Sequence, residues 1–197
     1  MNEQELIALL KEGDESAFKE LVITWQDMVY NTVLGIVQNE EDAEDVSQEV
    51  FVQVFQSISS FKSESKLSTW IYRISTTKSL DHLRKKKRKK RFAFVQSLFG
   101  MQDQEKELPA TFNHPGIILD NKEKAAVLFK ALEKLPEKQK VAFTLHKVEG
   151  LSYQEIGKVM QTNLPAVESY FPSPVVHPIS SLIKSANHSV LILLLTR

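Results

Sequence analysis

The chain has 197 residues, 42% of them hydrophobic and 25% charged, the make-up of a globular protein with room for one medium domain or two small ones. It has no cysteine, which excludes disulfides, thiolate metal sites and cysteine nucleophiles and fits a reducing cytoplasm. The acidic opening MNEQELIALLKEGDE argues against a secretory signal, and the apolar run 190–195 is far shorter than a membrane span. A formal net charge of 0 conceals segregation: residues 1–60 hold 13 acids and 2 bases, residues 61–91 hold 12 bases and 2 acids, and the remainder is nearly balanced.

Helical periodicity governs the first half. From Ser16 to Gln38 the apolar positions Phe18, Leu21, Val22, Trp25, Met28, Val29, Val33, Ile36 and Val37 recur in steps of three and four, one face of a helix. Asn39 suits the cap of a second helix whose first turn, Glu40-Glu41-Asp42, favours the helix dipole. Its core stripe is Ala43, Val46, Val50, Val54 and Ile58, and its outer side is acidic and polar. A third helix begins near residues 65–68 and groups Leu67, Trp70, Ile71 and Ile74. Leu80 and Leu83 fall on its other side, so this helix is expected to be contacted on two sides or kinked.

That third helix carries the strongest functional signal. Ser68 to Arg91 reads STWIYRISTTKSLDHLRKKKRKKR, an aromatic helix running into eight consecutive bases from Arg84 to Arg91. Basic side chains neutralise phosphates and aromatic rings stack on exposed nucleobases, so the combination points to nucleic acid. A basic run alone is more often a solvated face or a tail. Trp70 lies on the apolar stripe and suits packing; Tyr72 and Arg73 lie off it and suit contact. Asp81 suits pairing with Lys78 or Arg84 on the helix surface.

Residues 92–120 lose periodicity and contain Gly100, Pro109, Asn113, Pro115 and Gly116, the composition of a linker. Periodicity returns at Ala125, Leu128, Phe129, Leu132 and Leu135. Pro136 opens a further helix with the stripe Val141, Ala142, Leu145 and Val148. Ser152 and Glu155 form a capping box at the start of a short helix. The turn Gln161-Thr162-Asn163 then leads to Leu164-Pro165-Ala166, giving a helix-turn-helix, a shape whose second helix reads the major groove. The fold class expected is all-α: residues 1–91 a helical bundle, 92–121 a linker, 122–169 a helix-turn-helix domain, and 170–197 an aberrant tail.

Both sites together resemble a bacterial RNA polymerase sigma factor of the extracytoplasmic-function (ECF) group. Asp42-Ala-Glu-Asp-Val-Ser-Gln-Glu-Val-Phe51 is similar to the family's polymerase-docking segment. Phe61 to Arg84 is similar to its promoter-melting and minus-ten-reading segment. Leu132 to Met160 is similar to its domain for the minus-thirty-five element. The resemblance implies core RNA polymerase contacts at Asp42, Asp45, Gln48 and Glu49. It implies promoter DNA contacts at Lys66, Tyr72, Arg73, Thr77, Arg84, Lys85, Lys86, Arg88 and Lys89 in the first domain, and at Ser152, Asn163, Leu164, Ala166 and Ser169 in the second. It also implies an anti-sigma factor, often membrane-anchored, as a further partner.

Three positions depart from the family. Thr77 and Gln161 stand where the family commonly has Asn and Gly. Beyond Ser169, Pro172, Pro174 and Pro178 interrupt the reading helix, and no Lys or Arg occurs between Lys158 and Lys184. The tail has the composition either of a shifted reading frame or of a divergent disordered segment. The five histidines have no metal-ligand spacing. No phosphate loop, nucleophile elbow or carboxylate pair is present, so no enzyme, metal, cofactor or small-molecule substrate is expected. Two rival functions use parts of the pattern: a helix-turn-helix regulator acting without polymerase, and an adaptor whose basic run binds RNA or acidic membrane.

Overall fold

The computed structural model describes residues 2–98, 130 and 132–171, and these contain helices and no strand. The expected linker beyond Leu98, the stripe at Ala125, Leu128 and Phe129, and the tail beyond Phe171 lie outside the described residues.

Helix α1 (Glu3–Glu12) is an element that the acidic opening of the sequence does not announce. Its start is a capping box in which the Asn2 side chain accepts from Glu5 N at 2.8 Å and Glu5 accepts from Asn2 N at 3.0 Å. Only three apolar residues, Leu6, Ile7 and Leu10, carry its buried face.

Helices α2 (Glu15–Val37) and α3 (Glu40–Ser57) follow the expected periodicity, with Asp14 and Asn39 as N-caps. Val29, Val33, Val46, Val50 and Val54 interleave with Leu67 and Ile71 of α4 (Leu67–Leu98) to fill the first core. Ile36 departs from its expected stripe and packs into the core of the second domain. Residues 32–37 are buried all round, as a helix covered on every side must be.

Helix α4 spans 32 residues, about 48 Å at the usual rise per residue. It continues through the basic run to Leu98, so residues 92–98 are helix where a linker was expected. It is contacted on two sides. Leu67, Trp70, Ile71 and Ile74 face the first core, while Tyr72, Leu80 and Leu83 face the second. Ser75 and Ser79, both buried, return their hydroxyls to the carbonyls of Ile71 and Ser75 and keep that part of the helix slim.

The second domain consists of α5 (Glu137–Lys147), α6 (Tyr153–Met160) and α7 (Leu164–Ser169). Val141, Ala142, Leu145, Ile156, Val159 and Val167 form its core. Gly157 sits where the chain passes closest: a Cβ there would be 3.0 Å from the Thr162 carbonyl. Gln161 ends α6 with φ 52, a left-handed conformation that L side chains occupy at a cost. Tyr170 and Phe171 pack on this core, and the Phe171 ring stacks on Tyr153 at 4.8 Å. The ordered domain therefore includes two residues expected to belong to the tail.

Candidate nucleic-acid interface

The first site is built along α4. Trp70 leans on Phe61, with ring centroids 5.1 Å apart, and fixes the inward face of the helix. With that face fixed, Tyr72, Arg73 and Thr77 are directed away from the first core, as expected. Two of them meet the second domain. The Tyr72 hydroxyl donates to Glu149 Oε2 at 2.8 Å, and Arg73 Nη2 donates to the Lys158 carbonyl at 2.9 Å. Thr77 is exposed, and its hydroxyl donates to the Arg73 carbonyl at 2.8 Å. Lys66 is exposed at the head of the helix.

Glu149 is a functional candidate that sequence reasoning missed. Burial pushes its carboxyl up to about 7, against the opposing hydrogen bonds of Tyr72 and Thr32. Burial, and then the neighbouring Glu149 charge, likewise raise the Tyr72 hydroxyl far above its ordinary value. In sequence, Val148-Glu149-Gly150 reads as a solvent-exposed turn, so no local signal marks this carboxyl.

The basic run is helical, and consecutive residues turn about 100°, so its charges point all round the axis. Lys86 turns back onto α3 and lies 2.8 Å from Asp42 Oδ2; His82 Nε2 is 3.1 Å from Asp42 Oδ1, in contact but without hydrogen-bond alignment. Arg84 and Lys87 reach across to Glu137 of α5 at 3.2 and 3.3 Å, and Arg84 also meets Asp81 at 3.3 Å. Burial works to raise the Glu137 carboxyl, but Lys87 and then Arg84 outweigh it and hold it below the usual range. Lys85, Arg88 and Lys89 are exposed and pair with no acid among the described residues. The run borders an open cleft of about 700 Å³ in which six bases face Glu49, Asp81 and Glu137.

The acidic candidates on α3 divide into two groups. Asp45, Gln48 and Glu49 are exposed, with Glu49 3.9 Å from Lys78. Asp42 is mostly covered by Lys86 and His82, so part of the charge segregation is neutralised within the fold.

In the second domain Ser152 caps α6, accepting from Glu155 N at 3.3 Å and donating to Glu155 Oε2 at 2.8 Å. Asn163 caps α7, accepting from Ala166 N at 3.0 Å. Leu164 and Ser169 are exposed and Ala166 is half-buried, so the candidate reading positions of α7 are small and uncharged, with the exposed acid Glu168 beside them. This helix has only six residues and no base. Among the described residues, no cluster of His, Asp or Glu could hold a metal ion, and no helix is long and apolar enough to cross a membrane.

Two family models match the chain: Sigma-70 region 2 over residues 21–89, and Sigma-70, region 4 over residues 126–171. Over 169 residues the chain is 28% identical to the ECF RNA polymerase sigma-E factor of Escherichia coli K12, a match covering 86% of this chain and 88% of that protein. It is 28% identical over 167 residues to the RNA polymerase sigma-H factor of Pseudomonas aeruginosa, covering 85% and 86%. Its fold is similar to that of CnrH solved in complex with the cytosolic domain of CnrY, at a TM-score of 0.64 and 19% identity over 94% of this chain and 99% of that one. It is also similar to the sigma factor RpoE solved with the anti-sigma factor NepR from Bartonella quintana, at a TM-score of 0.59 and 20% identity over 86% and 98%.

Proposed function

The chain belongs to the sigma-70 family, as a sigma factor of the ECF group that directs promoter recognition, and from that premise we propose which of its surfaces carry out each step. The exposed face of α3, with Asp45, Gln48 and Glu49, docks on a basic surface of core RNA polymerase. Asp42 joins it at the margin, where Lys86 already holds it. Exposed charges of this kind set partner choice and association rate more than stability.

Tyr72, Arg73 and Thr77 of α4 then engage the melted promoter strand, with Lys66 at the head of the helix. Unstacking a base step costs a few kcal/mol; a splayed base held by an aromatic ring and a guanidinium offsets that cost without ATP. Arg84, Lys85, Lys86, Arg88 and Lys89 supply phosphate contacts. The second domain reads an upstream element through Ser152, Asn163, Leu164, Ala166 and Ser169. We assign the chain no catalytic step, cofactor or small-molecule substrate of its own, and place its action in the cytoplasm, where polymerase and DNA are. Two of the similar folds were solved as complexes, one of them with a named anti-sigma factor, and we extend that partnership to this chain.

The observation that carries this reading is α4 itself. Within a segment matching region 2, one helix carries an aromatic-basic face and then a cationic run whose Lys85, Arg88 and Lys89 are exposed. The test is in vitro transcription with core polymerase on a genomic promoter pool. Start sites that appear only with the added chain support the reading. A chain that neither binds core nor yields such starts refutes it.

A further inference from the structure

Helix α4 outruns both cores. Its last ties to other elements are those of Arg84 and Lys87 to Glu137 and of Lys86 to Asp42. Among the described residues, no ion pair, hydrogen bond or ring contact joins the helix beyond Lys87 to another element. What remains, up to Leu98, is about 16 Å of helix. Lys90, Arg91, Phe92 and Phe94 lie on it and enter none of the contacts assigned above. All four are exposed, the two rings at 64% and 66%. From Phe92 to Gln102 the sequence carries no charge and holds three phenylalanines. Large rings left bare at the end of a charged run mark an interaction surface.

The neighbouring charge says what that surface fits. Eight bases run directly up to the rings, so the occupant is anionic. A duplex backbone would satisfy the bases but offers a phenyl ring nothing apolar. An unpaired nucleobase could stack on such a ring, but Phe92 lies 20 positions beyond Tyr72, about 30 Å along the axis from the face assigned to a melted strand. A bilayer with anionic headgroups supplies both halves: fixed negative charge at its surface and an apolar layer just beneath. Basic helices bearing phenylalanine lie at that boundary, and basic clusters of this size are drawn to anionic leaflets. Successive residues turn about 100°, so the two rings leave the helix on nearly opposite sides. Whichever side lies down, bases and one ring meet the surface together.

We propose that the free end of α4 docks on the anionic headgroup surface of a lipid bilayer. Lys85, Arg88, Lys89, Lys90 and Arg91 meet the headgroups, and Phe92 or Phe94 enters the boundary with the acyl chains. The helix lies on the membrane and does not span it. The same bases cannot hold a duplex and a bilayer at once, so a docked chain is withheld from DNA. The proposal goes beyond the promoter reading and does not rest on it.

The test titrates the intact chain with vesicles of mixed phosphatidylglycerol and phosphatidylcholine, and with vesicles of phosphatidylcholine alone. Binding should favour the anionic vesicles and weaken roughly fivefold for each of Lys85, Arg88 and Lys89 replaced by Gln. Phe92→Ser with Phe94→Ser keeps every base. It should weaken vesicle binding at least about tenfold and leave affinity for random duplex unchanged. Serine has about the helix propensity of phenylalanine, so the helical spectrum should persist. Phe92→Trp and Phe94→Trp, made separately, check the insertion without removing a ring. Both should bind as the wild type does, and at least one should be quenched by brominated acyl chains above the background of Trp25 and Trp70.

Equal binding to both kinds of vesicle would overturn the proposal, as would anionic binding untouched by the serine pair or tryptophans that are both unquenched. A duplex affinity that falls with the serine pair would overturn it too, since the rings would then be nucleic-acid contacts. None of these results touches the sigma-factor reading, which the transcription assay judges by itself.

Discussion

Glu149→Gln is the most discriminating substitution where α4 meets the second domain. The carboxyl titrates at about 7 in place of its ordinary 4.5 because burial disfavours its charge. The groups around it are the Tyr72 hydroxyl from α4 and the Thr32 hydroxyl from α2, with Glu155 of α6 acting on Tyr72. None of these supplies a positive charge. A carboxyl whose pKa is raised in the folded chain binds its proton more tightly there. The contribution of this group to folding stability is therefore greatest below pH 4.5, weakens as pH rises towards 7, and is constant above. The shift corresponds to about 3 kcal/mol at pH 8 as an upper bound. A glutamine has no charge to bury, keeps an acceptor for Tyr72 and adds a donor for the Thr32 hydroxyl.

The Gln chain should thus gain up to about 3 kcal/mol of folding stability at pH 8, or roughly 9 °C in Tm for a chain of this size. It should also lose the pH dependence between pH 5 and 8. The assay is thermal unfolding followed across that range. If the wild type shows no loss of stability between pH 5 and 8, or if Glu149→Gln lowers Tm at pH 8, the account of the buried carboxyl is wrong.

Replacing Lys85, Lys86, Arg88 and Lys89 by Gln should flatten the salt dependence of duplex binding by about 0.9 in log–log slope for each phosphate no longer neutralised, for promoter and random duplex alike. Lys86 should count least, because Asp42 already holds it; a weakening confined to promoter duplex would contradict the assignment. Reversing Asp45 and Glu49 to Lys should weaken core polymerase binding while the helical spectrum and Tm barely move, and an unchanged core affinity would remove this face from the interface. Tyr72→Phe should keep the ring for strand capture and give up only the bond to Glu149, whereas Tyr72→Ala should also lower permanganate reactivity of promoter thymines; equal transcription from both variants would refute a stacking role. Gln161→Gly should stabilise the second domain by about 1 kcal/mol by relieving the left-handed backbone at φ 52, which urea unfolding would register.

The helices with a full apolar stripe are legible from spacing, as are the caps at Asn39, Ser152 and Asn163, because both signals are local. Helix α1 is not, since one short apolar run, Leu6 to Leu10, between acids resembles a solvated tail until Asn2 and Glu5 are seen to close on each other. The second face of α4 is signalled by Leu80 and Leu83, but what covers it is not. Ile36 looks like one more member of the α2 stripe, and only the approach of α5 at Gly35 gives it a different core. The pairing of Tyr72 with Glu149 spans 77 positions, and no periodicity reports a contact of that range. Phe171 reads as tail because prolines follow it, although its ring stacks on Tyr153 and meets His146 edge-on.

Because α4 is a wall of both cores, the order of synthesis has a consequence. Residues 1–98 leave the ribosome before the second domain exists, and at about 5–20 residues per second the roughly 70 residues that reach to the end of that domain at Phe171 take roughly 4–15 s to follow. During that interval Ile36, Leu80 and Leu83 stand bare beside eight positive charges, a few nanometres from ribosomal RNA. Each newborn molecule thus starts life uncovered, with its adhesive side exposed in a polyanionic neighbourhood. Whatever meets that side first, an acidic chaperone surface or the chain's own late-arriving half, sets the pool from which working molecules are drawn.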